Sequence, residues 1–230
     1  METIGLIGGM SWESTVEYYR LINEEINSRM GGLHSGKCLL YSVDFGEIEP
    51  FMRTNEWDKI GQVLINTAKV LENGGADFIL LCTNTMHKLF EQIKDGIKIE
   101  LIHIADATAE KVLRENIERV GLLGTRQTME EDFYKSRLEK KGVQVLIPKP
   151  KDRDIVHQVI FNELCLGEIR EESKEEYKRI IEELISMGAE GIILGCTEIP
   201  LLIKQEDSKV PVFDTTYIHA MKAVEKAINI

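Results

Sequence analysis

Short apolar segments alternate with amphipathic helical patterns along the whole chain of 230 residues. The eight predicted strands are residues 3–7, 39–43, 78–81, 101–104, 120–123, 143–147, 192–194 and 211–213. Continuous apolar strands are typical of parallel sheets that are covered by helices on both faces. Between the strands, Val16, Tyr19, Ile22, Ile26 and Met30 mark the apolar stripe of one predicted helix. The alternation therefore predicts an α/β fold.

Two halves of the chain share three motifs in the same order. These are TIGLIGG (3–9) with RVGLLGT (119–125), GADFILLCTNT (75–85) with GAEGIILGCTE (188–198), and IHIADAT (102–108) with VPVFDTT (210–216). We therefore expect two similar α/β domains, each with a mainly parallel sheet flanked by helices. The predicted domains are residues 1–105 with 214–230, and residues 106–213. Ligands of parallel sheets bind at the carboxyl ends of the strands, so pseudo-twofold symmetry would place the site in an interdomain cleft.

The charge balance bears on the binding partner. The chain has 28 basic and 39 acidic residues, a formal net charge of −11, whereas nucleic-acid binding relies on Lys and Arg that neutralise phosphates. No apolar run approaches the about 20 residues of a membrane helix, and the start METIGLIGG lacks the features of a signal peptide. We expect a cytoplasmic protein that acts on a small molecule, without a nucleic-acid or membrane partner.

Four cysteines, Cys38, Cys82, Cys165 and Cys196, show no CxxC motif and no paired Cys/His spacing. A disulfide framework or a metal site is therefore not expected. The second shared motif distinguishes among these cysteines, because Ala76 and Ala189 lie 113 positions apart.

At the same offset Thr83 corresponds to Cys196, and Cys82 corresponds to Gly195. Successive strand side chains point to opposite faces, so Cys82 and Thr83 should not both reach one cleft. We interpret Cys82 as a buried, inert cysteine. Cys196, which polar residues follow at a strand end, is the candidate for chemistry.

Four segments carry a resemblance to a known family: GLIGGMSWEST (5–15), CTNTMH (82–87), LLGTRQTME (122–130) and GCTEIPLL (195–202). They resemble the cofactor-independent aspartate/glutamate racemase superfamily, and specifically its aspartate racemase branch. The resemblance covers essentially the whole chain. It implies a homodimer that racemises an amino acid without pyridoxal phosphate or metal, using two cysteines on opposite sides of the substrate α-carbon. The first of these precedes Asn-Thr, and the second is the cysteine of Gly-Cys-Thr.

The chain departs from the family pattern at two positions. The residue before Asn84 is Thr83 instead of cysteine, whereas Cys196 matches the second family position. Cys165 stands where many aspartate racemases have a lysine, which leaves recognition of the side-chain carboxylate open. We therefore predict an asymmetric catalytic pair, Thr83 and Cys196.

This asymmetry predicts a preferred direction of turnover. A thiol has a reference pKa of about 8.5, which positive neighbours or helix N-termini can lower, whereas a hydroxyl is a far poorer base. In the racemases that this chain resembles, the Gly-Cys-Thr cysteine deprotonates the L-enantiomer. We therefore expect Cys196 to act on the L-substrate and Thr83 to donate or relay a proton, which favours L-to-D turnover.

The remaining candidate residues lie where strands or glycine turns meet helices. The predicted substrate-binding residues are Gly9, Met10, Arg53, Asn84, Thr85, Thr125, Thr128 and Thr197. Backbone and hydroxyl donors at such points suit an anionic carboxylate, but the same atoms equally suit helix capping. Arg53 is either a carboxylate clamp or a surface residue. His87, four residues after Thr83, is a candidate to support Thr83 or a packed helix residue.

Two other functions remain open at this point. Arylmalonate decarboxylases of the same superfamily have one cysteine at the Gly-Cys-Thr position and none at the other, as here; release of carbon dioxide from substituted malonates would identify that activity. A noncatalytic amino-acid-binding protein would bind substrate without exchanging its α-proton with solvent.

Overall fold

Within residues 1–229, which the computed structural model describes, eight strands form two four-stranded parallel sheets. The predicted α/β class is confirmed, and each predicted strand is present with its ends within two residues of the prediction. The chain divides into two units. Unit 1 comprises Met1–Ile104 and the C-terminal segment from His219, and unit 2 comprises Ala105–Ile218.

The sheet of unit 1 has the order β2-β1-β3-β4. Its strands are β1 (Ile4–Gly8), β2 (Cys38–Ser42), β3 (Phe78–Leu81) and β4 (Glu100–Ile102). The helices from the first part of the chain are α1 (Trp12–Met30), α2 (Phe45–Arg53), α3 (Trp57–Asn73), α4 (Phe90–Asp95) and α5 (Ile104–Arg114), with a 3₁₀ helix at Thr85–Leu89. Strands β1 and β3 are fully buried, as expected for the central strands of a parallel sheet.

The sheet of unit 2 has the corresponding order β6-β5-β7-β8. Its strands are β5 (Arg119–Gly124), β6 (Gln144–Leu146), β7 (Gly191–Gly195) and β8 (Val212–Asp214). The helices from the second part of the chain are α6 (Arg126–Glu130), α7 (Asp132–Lys140), α8 (Pro150–Asn162), α9 (Glu171–Ser186), α10 (Ile199–Leu202) and α11 (Thr215–Ala227), with 3₁₀ helices at Leu164–Leu166 and Gln205–Asp207. From His219 onward, α11 belongs to unit 1. The two sheets therefore share one topology.

The strand register agrees with the offset between the two halves. Ile4 pairs with Phe78 in unit 1, and their sequence counterparts Val120 and Gly191 pair with each other in unit 2. Both catalytic candidates, Thr83 and Cys196, consequently follow strands that hold the same place in their sheets.

The third sequence match is wrong by three residues. Ile102 pairs with Leu80 in unit 1, and the pair at the corresponding register in unit 2 is Phe213 with Ile193. Ile102 therefore corresponds to Phe213 instead of Val210. Asp214 ends β8, whereas Asp106 lies in the first turn of α5, so the two aspartates are not equivalent. Short apolar strands match at several offsets, and the shared aspartate selected the wrong one.

The helix α1 shows a second difference from the sequence prediction. Its core face comprises Tyr18, Ile22 and Ile26, whereas Val16 and Tyr19 are exposed to solvent at 55% and 52%. The predicted stripe included residues of the neighbouring face.

None of the helices in residues 1–229 combines the length and apolar character that crossing a bilayer requires. The expected cytoplasmic location stays a prediction.

Candidate active site

Cys196 lies immediately after β7 and is 7% exposed. Its Sγ donates a hydrogen bond to Glu198 Oε2 at 2.9 Å. The hydroxyl of Thr197 donates to the same oxygen, also at 2.9 Å. Glu198 is itself buried, with 4% of its surface exposed. The residues at the carboxyl end of β7, called here its exit, thus bring a thiol and a hydroxyl to one carboxylate oxygen.

The surroundings raise the pKa of the Cys196 thiol well above its ordinary value. Burial is the largest cause, because it disfavours the charged thiolate, and the negative charge of Glu198 is the second. The thiol of Cys165 adds to the shift and packs against the same apolar cluster. Burial therefore favours the protonated thiol, which donates its hydrogen bond to the Glu198 carboxylate.

Glycines and a hydroxyl set the backbone at this strand exit. Gly195 pairs with Gly124 of β5, and a Cβ on Gly124 would lie 2.8 Å from the Gly195 carbonyl oxygen. Thr215, the first residue of α11, donates its hydroxyl to the Leu194 carbonyl at 2.8 Å. Close approach of β5 and anchoring to α11 thereby fix the position from which Cys196 leaves the sheet.

Thr125 and Thr128 form a pair at the neighbouring exit of β5. Their hydroxyls lie 3.1 Å apart, and the Thr125 hydroxyl also accepts from the Thr128 N–H at 3.4 Å. Thr125 is the N-cap of α6, and both residues are buried. The capping alternative is therefore realised in this structure, with the two hydroxyls beside the end of β7.

The exit of β3 differs from that of β7. Cys82 is fully buried in the apolar cluster of Phe78, Leu80 and Tyr18, and burial raises the pKa of its thiol. The interpretation of Cys82 as a core cysteine is confirmed. Thr83, the next residue, is 7% exposed.

Asn84 and Thr85 follow Thr83 and lead into the 3₁₀ helix Thr85–Leu89, with 2% and 6% of their surfaces exposed. Asn84 is the N-cap of this helix, but its side chain makes no capping hydrogen bond there. His87 is buried in the same helix, and its Nδ1 lies 2.7 Å from the Thr83 carbonyl oxygen. Four sequence candidates of unit 1 are thus brought together in one buried turn: Thr83, Asn84, Thr85 and His87.

The glycine turn after β1 has a structural explanation. Gly9 has a φ of +91°, and a Cβ there would lie 2.1 Å from the Val43 carbonyl oxygen. Its N–H donates to the Thr15 hydroxyl at 2.8 Å. Met10 is 5% exposed and packs in an apolar cluster with Ile7. In this structure the turn therefore holds β1 against β2 and α1.

The last candidate, Arg53, lies at the end of α2 with its side chain 77% exposed. Its guanidinium pairs with Glu49, one helical turn earlier, at 2.7 Å. This is the surface arrangement that the sequence analysis left open.

The sequence motifs did not single out Glu198 as a site residue. The signal was its position two residues after Cys196 at a strand end, but a sequence does not show that both side chains turn towards each other.

Within residues 1–229, no group of three or more His, Cys, Asp and Glu side chains is arranged to hold a metal ion.

The chain is similar to known proteins in both sequence and fold. The Asp/Glu/hydantoin racemase family model matches residues 7–223. The broad specificity amino-acid racemase RacX of Bacillus subtilis is 26% identical over 226 residues, 96% of each protein. The crystal structure of a candidate Asp/Glu racemase from Yersinia pestis is 51% identical with a TM-score of 0.93, covering 99% of this chain and 100% of that one. An aspartate racemase homologue from Pyrococcus horikoshii is 38% identical with a TM-score of 0.86, at the same coverage.

Proposed function

The chain belongs to the Asp/Glu/hydantoin racemase family and is an amino-acid racemase, and on this premise we propose that it interconverts the enantiomers of aspartate, glutamate or both. The observation that carries the proposal is the Cys196 thiol on the Glu198 carboxylate, at the strand exit that corresponds to Thr83. The proposed reaction is proton removal from one face of the α-carbon and proton delivery to the other.

For the L-enantiomer, Cys196 is the proposed base. The thiol proton first moves to Glu198 Oε2, and the resulting thiolate then takes the substrate α-proton. The electrons of the broken Cα–H bond are delocalised into the substrate carboxylate, where amide and hydroxyl donors stabilise the developing charge. This role for Glu198 explains how a thiol with a raised pKa can work as a base.

Thr83 is the proposed group on the opposite face. Its hydroxyl, or a water that it holds, donates the proton that forms the new Cα–H bond and then regains one from solvent, while the Cys196–Glu198 pair releases the proton taken from the substrate to solvent. Because a hydroxyl is a poor base, the reverse step from the D-enantiomer is slow, and turnover from L to D has the larger saturated rate. The ratio kcat/KM remains equal in the two directions, since the enantiomers have equal energies in solution.

The substrate carboxylates are assigned to the polar residues at the strand exits. Asn84, Thr85 and Thr197 are proposed to bind the α-carboxylate, and the Thr125–Thr128 pair the distal one. Gly9, Met10 and Arg53 are secondary candidates, because they are engaged in packing or a surface ion pair. Cys165 supplies no positive charge near Cys196, so neutral amino acids belong in the substrate panel, as the similarity to RacX also suggests.

The decisive experiment incubates the protein in deuterated water with a panel of amino acids: the L- and D-enantiomers of aspartate, glutamate and neutral amino acids. Chiral chromatography follows inversion, and mass spectrometry follows α-deuterium. Inversion with deuterium incorporation supports the proposal, and Cys196→Ser is the control for contaminating racemases. Release of carbon dioxide from substituted malonates, without inversion of any amino acid of the panel, would instead favour the decarboxylase alternative that the single proposed catalytic cysteine raises.

The proposed reaction requires neither pyridoxal phosphate nor a metal, because the thiol, carboxylate and hydroxyl perform every proton transfer. Activity should survive exhaustive dialysis against a chelator. A full loss that is restored by adding a metal ion would contradict this part of the proposal.

We also propose a homodimer. Trp12, Val16 and Tyr19 lie at helical spacing on one face of α1 and are 64%, 55% and 52% exposed, an apolar stripe that a second copy would cover. Sedimentation should give a dimer for the wild type and a monomer for Tyr19→Glu. A monomer at working concentrations of the wild type would reject this proposal.

A further inference from the structure

Three histidines are buried around the carboxyl end of β4 in unit 1. His87, His103 and His219 are 1%, 3% and 0% exposed. The ring centroid of His87 lies 4.5 Å from that of His103 and 5.8 Å from that of His219. The proposed reaction uses none of these rings, although His87 lies within one turn of Thr83.

The hydrogen bonds of His87 define its tautomer. Its Nδ1 lies 2.7 Å from the Thr83 carbonyl oxygen, and its Nε2 lies 3.2 Å from the Ile104 backbone nitrogen. A carbonyl can only accept and a backbone N–H can only donate, so Nδ1 carries the hydrogen and Nε2 the lone pair. A doubly protonated ring would turn an N–H against the Ile104 N–H, so this arrangement requires the neutral form.

The 3₁₀ geometry makes this contact available. The His87 backbone N–H bonds to the Asn84 carbonyl at 3.1 Å, the three-residue spacing of a 3₁₀ turn. In an α-helix the same N–H would bond to the Thr83 carbonyl, four residues back. The tighter turn leaves that carbonyl to the His87 side chain. The backbone at Thr83 is therefore held by an imidazole.

A second histidine holds the other side of the β4 exit. His219 Nε2 lies 3.1 Å from the Ile102 carbonyl oxygen, and its Nδ1 lies 2.9 Å from the Tyr18 hydroxyl. The carbonyl fixes Nε2 as the donor, so the Tyr18 hydroxyl donates to Nδ1. Burial lowers the pKa of His219 to about 3, which keeps this ring neutral as well. Residues 102–104 are thus held on one side by α11 and on the other by His87.

We propose that His87 is a positioning residue for Thr83. Anchored on the Ile104 N–H, its Nδ1–H fixes the Thr83 carbonyl and thereby the orientation of the Thr83 hydroxyl at the strand exit. This inference rests on the proposed function, because it assigns His87 to the face of the substrate that Thr83 serves. It assigns no role in proton removal by Cys196.

Three substitutions separate positioning from general stability. His87→Asn keeps an N–H donor near the Nδ1 position and gives up the contact with Ile104. His87→Gln keeps an acceptor near the Nε2 position and gives up the bond to Thr83. Tyr18→Phe is the matched control, because it removes one buried hydrogen bond of the same network on the far side of His219. Melting temperatures establish that all three variants are folded.

The readout is L-substrate in deuterated water, with two quantities measured. These are the rate of formation of D-enantiomer and the ratio of deuterium-labelled L-enantiomer to D-enantiomer. When Thr83 is misplaced, Cys196 still removes the α-proton, but the carbanion is reprotonated from the Cys196 face after the thiol has exchanged with solvent. His87→Gln should therefore lower inversion by about tenfold to a hundredfold and raise the ratio. His87→Asn should give values of both quantities closer to wild type than those of His87→Gln. Tyr18→Phe should leave the ratio unchanged and lower the rate only in proportion to any loss of folded protein.

The outcomes that overturn the inference are equally specific. A His87→Gln variant that matches Tyr18→Phe in both quantities would show that His87 only contributes stability. A fall in inversion without enrichment of labelled L-enantiomer would also reject a role confined to the Thr83 face. Failure of the proposed function has a different signature, because the wild type would then show neither inversion nor α-exchange with any amino acid of the panel.

Discussion

The residues that follow β7 and β3 at corresponding register differ in their chemistry. After β7 a thiol donates a hydrogen bond to a carboxylate, whereas after β3 there is a threonine whose backbone carbonyl is bound by a histidine. Cys196 is paired with Glu198 through side chains, and Thr83 is held by His87 through its carbonyl. The sheets have the same strand order and the same register. The backbone is therefore nearly symmetric, and the chemistry that it carries is not.

The difference teaches that a duplicated fold fixes where a reactive group lies without fixing how it is activated. At β7 the Glu198 carboxylate lies within hydrogen-bond distance of the Cys196 thiol, which supports its proposed role as the proton acceptor. At the end of β3 the only cysteine, Cys82, lies one residue before the position that corresponds to Cys196, and it is buried in the apolar core. A strand reverses its side chains at each residue, so a shift of one position separates the proposed catalytic position from that of a packing thiol.

The largest expected effect comes from removing the thiol at the β7 exit. Cys196→Ser should lower turnover by about 10²–10⁴-fold, the usual contribution of a positioned acid–base group. Serine preserves a donor to Glu198 and nearly the same volume, so the melting temperature should stay close to wild type. Steady-state rates with L-aspartate and L-glutamate, together with thermal unfolding, test this. Retained racemisation in a cooperatively folded variant would remove Cys196 from the mechanism.

The next effect separates the two halves of the thiol–carboxylate pair. Glu198→Gln keeps an acceptor for the Cys196 thiol but cannot take its proton, so only free thiolate can act as base. Losing the negative charge removes one cause of the raised thiol pKa, but burial, the largest cause, remains. Without a carboxylate to take its proton, the thiol forms thiolate only at high pH. The acid limb of kcat/KM for L-substrate should therefore move to higher pH, and each pKa unit of displacement lowers the rate on that limb about tenfold.

Glu182→Gln is the control for this prediction, because Glu182 carries the same charge in an exposed ion pair with Lys209. Its pH profile should overlay that of wild type. An unchanged acid limb in Glu198→Gln would mean that Cys196 loses its proton to another group.

The same comparison shows what the sequence could predict. Periodicity and motif order predict the α/β class, the eight strands and the offset that pairs Thr83 with Cys196, because these depend on local patterns. The apolar stripe of α1 was misassigned at Val16 and Tyr19, since several large apolar residues on one helix define more than one candidate face. The match of Asp106 with Asp214 failed because apolar strands align at several offsets.

The details that distinguish the two exits were not accessible from the sequence. The bond between Cys196 and Glu198 depends on side-chain torsions after the strand ends. The contacts of His87 with Ile104, and of His219 with Tyr18, join residues 17 and 201 positions apart. Such contacts follow from the packing of the whole unit, and no local pattern encodes them.

A smaller effect is expected from making the exits chemically alike. Thr83→Cys introduces a thiol at the β3 exit, and each unit by which its pKa lies closer to the working pH is worth about a tenfold rate. Saturated turnover of D-aspartate or D-glutamate should therefore increase selectively relative to the L-enantiomer. Initial rates for both enantiomers in wild type and variant test this. Equal saturated rates in the wild type, or no selective gain in the variant, would contradict the asymmetric pair.

The smallest effect concerns Cys82 and appears in stability alone. Cys82→Ser places a hydroxyl among Phe78, Leu80 and Tyr18, where an unsatisfied donor costs about 1–3 kcal/mol. Denaturant unfolding should show this loss, whereas turnover per folded molecule should equal that of wild type. Cys82→Ala is the matched variant, because it leaves a small cavity without a polar group and isolates the cost of burying the hydroxyl. Lost turnover in Cys82→Ser at unchanged unfolding free energy and unchanged substrate affinity would contradict the interpretation of Cys82 as a packing residue and the alignment that pairs Thr83 with Cys196.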